Sequence, residues 1–81
     1  MSKRRLINKK AYEEMLLLKS LCPNDGDNMY VVTLQIDDEL NEGFVIDHYW
    51  NRECVATIRG ENYEKASKLL IRYINGEIFQ V

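Results

Sequence analysis

Three stretches of the chain alternate along the backbone with a period of two, and only short links separate them. Met29–Asp37 sets Tyr30, Val32, Leu34 and Ile36 against Val31, Thr33, Gln35 and Asp37. Phe44–Trp50 sets Phe44, Ile46, His48 and Trp50 against Val45, Asp47 and Tyr49. Glu53–Arg59 sets Cys54, Ala56 and Ile58 against Glu53, Val55, Thr57 and Arg59. Successive side chains of a strand point to opposite faces, so each stretch reads as a half-buried strand. Links this short join antiparallel neighbours, which predicts a three-stranded meander with one apolar face.

The second link decides where the chain's only histidine lies relative to Cys54. An odd-length loop at residues 51–53 keeps Cys54, Ala56 and Ile58 on the apolar face, with Trp50 opposite Cys54 and Ala56 opposite His48. The thiol and imidazole then become diagonal neighbours. A two-residue turn at Asn51-Arg52 instead pairs Tyr49 with Cys54 and separates the thiol from His48. Asp47 points away from His48 in either case and cannot complete a triad with it. His48 and Trp50 are expected at the core or its edge, with Asp47 and Tyr49 facing outward.

An apolar sheet face needs a cover, and helical patterns flank the strands. At 100° per residue, Leu6–Cys22 gathers Ile7, Ala11, Met15, Leu18, Leu21 and Cys22 on one side. Leu16 and Leu17 fall outside that stripe, where they either cover a neighbouring element or stay exposed. Pro23 and the turn-forming Asn24–Asn28 end the helix. Beyond Gly60, Asn62 is placed to cap a second helix and Gly76 to end it. Its stripe is Tyr63, Ala66, Leu69, Leu70, Tyr73 and Ile74, and Lys65, Lys68 and Arg72 lie opposite. Glu61–Lys65 and Glu64–Lys68 have the i,i+4 spacing of helix ion pairs. The closing residues 77–81 have strand composition and can add a short fourth strand at an edge.

Eighty-one residues suffice for one domain with one core. The expected fold is therefore α+β and two-layered, a meander covered on one face by two helices in the order α-β-β-β-α, spanning residues 1–81 with residues 1–5 as a basic arm. The run Met15–Leu21 is interrupted by Lys19 and is too short to span a membrane. No secretory cleavage pattern follows it, and two cysteines without a disulfide framework suit a reducing compartment, so a cytoplasmic protein is expected.

Catalytic, metal and cofactor motifs are missing from the pattern. Asn24–Asn28 lacks the oxygen ligands that a calcium loop needs before its glycine. One histidine and two distant cysteines do not complete a zinc site without a carboxylate. The four glycines form no phosphate-cradling spacing. No residue is expected to be catalytic, to bind a cofactor or to ligate a metal.

Charge divides the chain. Lys3, Arg4, Arg5, Lys9 and Lys10 open it without an acid, whereas residues 20–81 hold eleven acids against five bases. The element order resembles that of double-stranded-RNA-binding domains, which grip phosphates with lysines opening the second helix. That resemblance implies a nucleic-acid-binding alternative carried by Lys65, Lys68 and Arg72 with Lys3, Arg4 and Arg5. Glu61, Glu64 and the acidic residues 37–42 oppose it. The acidic helix–sheet–helix outline also resembles inhibitors encoded by phages and mobile elements, some of which occupy a nucleic-acid groove with carboxylates.

The favoured expectation is a non-enzymatic interaction module, a regulator or inhibitor of phage or mobile-element type that occupies a partner protein's surface. Asp37, Asp38, Glu39, Glu42 and Asp47 supply local negative potential for a basic partner. Tyr49 lies on the open sheet face, and Leu16 and Leu17 add apolar area on the first helix. Val31, Val45, Val55 and Thr57 extend the open face. Pairing of two chains through that face or the first helix is expected.

Overall fold

A computed structural model describes residues 9–36 and 42–77, together with the backbone but not the side chains at 36 and 42. The architecture is α+β. Helix α1 (Lys9–Leu21) is followed by strands β1 (Asn28–Ile36), β2 (Glu42–Trp50) and β3 (Glu53–Gly60) and by helix α2 (Tyr63–Ile74). The strands form an antiparallel sheet in the order β1-β2-β3. Both helices pack on the same face, α1 over β1 and beside α2, and α2 over β3 and β2. The expected fourth strand and the arm at residues 1–5 fall outside the described residues, except for Glu77.

The core lies where the inward residues of the strands meet the helices. Val32, Phe44, Ile46 and Ile58 pack against Leu18 of α1 and against Ala66 and Leu70 of α2. The α2 stripe is as expected, with Tyr63, Leu69, Tyr73 and Ile74 packed around its buried pair. The α1 stripe is narrower. Ala11 and Leu18 are buried and Met15 and Cys22 touch the core, but Leu21 is exposed in the last turn. Leu16 and Leu17 are exposed too, which settles the alternative left open for them.

Helix α2 is capped at both ends. Asn62 accepts a hydrogen bond from the Lys65 amide at 2.9 Å. At the other end Gly76 adopts φ 78°, and the Glu77 and Gly76 amides donate to the Arg72 and Tyr73 carbonyls. Left-handed glycine is what lets the chain turn back onto those carbonyls. The approach of α2 to β3 requires a second glycine. A Cβ on Gly60 would sit 2.5 Å from the Ala66 backbone nitrogen.

The β2–β3 hairpin combines features of both expected loops. The turn has two residues, Asn51 and Arg52, both with positive φ, as a twist-matched two-residue hairpin turn demands. It pairs Trp50 with Glu53 and Tyr49 with Cys54. His48 nevertheless pairs with Ala56, because the ladder is interrupted between His48 and Tyr49 and Val55 is the extra residue of a β-bulge. The odd residue expected in the loop has moved into the strand. The bulge keeps Ala56 and Ile58 inward while leaving Cys54 exposed, so Cys54 is corrected from core thiol to surface thiol.

Candidate functional site

Among the described residues no helix covers the outward face of the sheet. Along β1 it presents Met29, Val31, Thr33 and Gln35, and along β2 it presents Val45, Asp47 and Tyr49. Thr57 and Arg59 stand opposite Asp47 and Val45 on β3. The Thr57 hydroxyl donates to Asp47 Oδ1 at 2.7 Å, which holds the carboxylate on the outer face and away from His48. Tyr49 is half-buried; Met29, Val31 and Val55 are exposed. Val45 is only 8% accessible, so the apolar centre expected around it is smaller than the sequence suggests. Thr33 and Arg59 are its neighbours on the two flanking strands. Concavities bound the sheet at both ends, one of about 340 Å³ lined by Asp27, Met29, Tyr49 and Arg52, the other of about 380 Å³ lined by Gln35, Val45 and Arg59.

Of the other interaction residues expected from sequence, Asp37, Asp38 and Glu39 lie outside the described residues. Glu42 opens β2 opposite Ile36, and its side chain is likewise outside. Leu16 and Leu17 sit on the helical side of the molecule, so they do not join Asp47 and Tyr49 in one patch. The molecule thus has two separate apolar surfaces, one on each layer.

The bases expected to meet phosphate are engaged with acids. Lys65 pairs with Glu61 at 3.3 Å, Lys68 with Glu64 at 3.2 Å and Arg72 with Glu77 at 3.7 Å. These are exposed pairs of small energetic weight. Their effect is to balance the ridge charge for charge. Lys3, Arg4 and Arg5 are outside the described residues.

His48 anchors a polar network between sheet and helix. Its Nδ1 lies 2.6 Å from the Tyr73 hydroxyl and its Nε2 lies 2.8 Å from Asn28 Oδ1. Asn28 Nδ2 in turn donates to Asp25 Oδ1 at 2.9 Å. With the amide oriented this way, the neutral imidazole donates from Nε2 to Asn28 and accepts the Tyr73 proton at Nδ1. The ring stacks on Tyr30 at 4.3 Å between centroids and meets Tyr73 edge-on. Burial pushes the imidazole below its ordinary range, with Asp25 partly opposing. Burial also raises the Tyr30, Tyr73 and Cys22 groups.

Both ring nitrogens of His48 are therefore engaged by side chains, those of Tyr73 and Asn28. The Cys54 sulfur approaches the Ala56 carbonyl at 3.7 Å and the Thr57 hydroxyl at 3.9 Å instead. The geometry is that of a structural clamp joining α2, β2 and the start of β1. Trp50, expected at the core edge, is 53% exposed beyond the helical cover. Among the described residues no group of three or more histidine, cysteine or acidic side chains is arranged to hold a metal ion. Among the same residues no helix is long and apolar enough to cross a membrane.

Neither protein-family models nor curated proteins nor solved structures match this chain when compared with it.

Proposed function

We propose that the chain is a small non-enzymatic protein-interaction module that regulates or inhibits a partner protein by occupying its surface, in the manner of proteins encoded by phages or mobile elements. One observation carries this reading: the described helices cover a single face of the sheet, and its other face holds exposed Met29 and Val31 with half-buried Tyr49 and Asp47. Asp47 and the acidic residues 37–42 favour a basic partner surface through their potential. Leu16 and Leu17 provide a second apolar contact on the opposite layer. Pairing of two chains through the open face or α1 belongs to the same reading, and Cys22 and Cys54 as free thiols support a reducing, cytoplasmic setting.

Co-purification from the native host tests the proposal, with Tyr49→Lys and Leu16→Ser/Leu17→Ser variants run beside the natural chain. A partner protein retained by the natural chain and lost by a folded variant supports it. A turnover that disappears on His48→Ala with the fold intact would remove it. Nucleic acid as the partner would show as binding that weakens steeply with salt and on Lys65→Glu/Lys68→Glu.

A further inference from the structure

The two edges of the sheet are built differently. β3 carries the Val55 bulge, with charged Glu53 and Arg59 along its length. Bulges and charges are the devices that discourage further strand pairing. β1 reads NMYVVTLQI, nine residues without a charge, proline or glycine, in unbroken register with β2.

Hydrogen bonds at the start of β1 reveal which of its backbone groups face the free edge. The Tyr30 amide donates to Asn24 Oδ1 at 2.7 Å, and Asn28 exchanges bonds with Asp25 through both its amide and its carbonyl. These even-numbered residues therefore turn their backbone away from β2, and by the period of two so do Val32 and Leu34. The loop at residues 24–25 caps Asn28 and the Tyr30 amide. It stops short of Val32 and Leu34, whose amides and carbonyls have no partner among the described residues.

Helix α1 packs on this strand and, joined to it by the short link 22–27, runs opposite to it. With the free edge fixed by the backbone, the right-handed winding of α1 turns Tyr12 and Lys19 toward that edge and Leu21 toward α2, and leaves Leu16 and Leu17 on the side away from the sheet. Tyr12 is exposed. The edge of β1 and this flank of α1 thus form an L-shaped step, with open backbone groups on one wall and the Tyr12 ring and Lys19 on the other.

We infer that this step receives an extended segment of another protein as a fourth strand. Val32 and Leu34 would bond to its backbone, and an inward side chain would rest against Tyr12. Free amides and carbonyls at alternate residues select a strand over a helix. Lys19, which has no acidic partner among the described residues, suits an acidic residue near one end of the segment. A second copy of the domain fits poorly. Antiparallel β1–β1 pairing spaces strands about 4.8 Å apart and would bring the two overlying α1 helices to about 5 Å, whereas helices pack at about 8–10 Å. The inference concerns a different surface from the open sheet face and does not require that face to bind.

Amide exchange tests it on the intact chain. In the free protein Val31 and Thr33 amides, bonded to β2, exchange slowly while those of Val32 and Leu34 exchange fast. A panel of nine-residue synthetic peptides alternating valine or isoleucine with threonine, each with a terminal glutamate, is then titrated in. A binding member of the panel slows the Val32 and Leu34 amides, and Tyr12→Glu weakens that effect about tenfold. Slow exchange at Val32 and Leu34 in the dilute free protein would overturn the inference, as would protection that rises with protein concentration alone, marking two paired copies. Failure of every peptide to change these two amides would overturn it as well. Because the readout lies at the β1 edge, it is unaffected by the fate of the open-face proposal.

Discussion

Helices α1 and α2 cover the same sheet but are differently made. Every apolar residue expected to face the core from α2 does so, its ends are capped, and its solvent side is ion-paired. Ile71 is its one exposed large aliphatic residue. In α1, apolar residues occur almost all round, and Tyr12, Leu16, Leu17 and Leu21 remain in solvent. A helix apolar on all sides is ordinarily buried on all sides. The difference teaches that α2 is committed to the fold, whereas α1 carries more apolar surface than this domain uses. That surplus supports the interaction reading.

The contrast makes unequal predictions for stability. Leu70 is fully buried beneath α2, so Leu70→Ala should cost about 2–5 kcal/mol in denaturant unfolding. A cost below about 1 kcal/mol would mean that α2 is no better packed than α1. Gly60→Ala should cost about 1–3 kcal/mol, because the new methyl meets backbone atoms of α2 that cannot turn aside. An unchanged midpoint would show that the helix shifts freely on the sheet.

Tyr73→Phe is expected to cost about 0.5–1.5 kcal/mol by removing a hydrogen bond to His48. The same clamp gives a pH dependence. His48 titrates lower in the folded chain than its ordinary value of about 6.5, so the unfolded chain takes up the proton first. Stability should therefore fall as pH drops below about 6.5, and this contribution should level off below the folded value. His48→Gln should flatten that segment of the profile. Smallest of all, Leu16→Ser/Leu17→Ser should change stability by no more than about 0.5 kcal/mol per residue, since both side chains already meet water. A loss comparable to Leu70→Ala would mean that the α1 surface is needed for folding and is not spare.

Much of the fold was legible because its signals are local. Period-two alternation placed the strands to within about two residues, and Asn62 and Gly76 marked the ends of α2 through their own backbone preferences. The Val55 bulge was not legible. Sequence parity demanded one extra residue between Tyr49 and Ala56 without saying whether the loop or the strand would hold it. Two positive-φ residues made a tight turn feasible, and the surplus passed into β3.

The His48 clamp was hidden for a different reason. Tyr73 and Asn28 are 25 and 20 residues away, and only the packing of α2 over β2 brings them together. Trp50 and Leu21 were misplaced because strand alternation and helical periodicity continue past the point where the opposing layer stops.

The central claim is that this small domain keeps surface for a partner protein in excess of what its own fold requires. The most direct measurement is paired: thermal unfolding of the natural chain and of Tyr49→Lys, alongside recovery of bound protein from the native host under identical conditions. The account predicts equal midpoints within a few degrees, with a defined partner retained by the natural chain and lost by the variant. Recovery of the same partner by both, or of none by either, would contradict it.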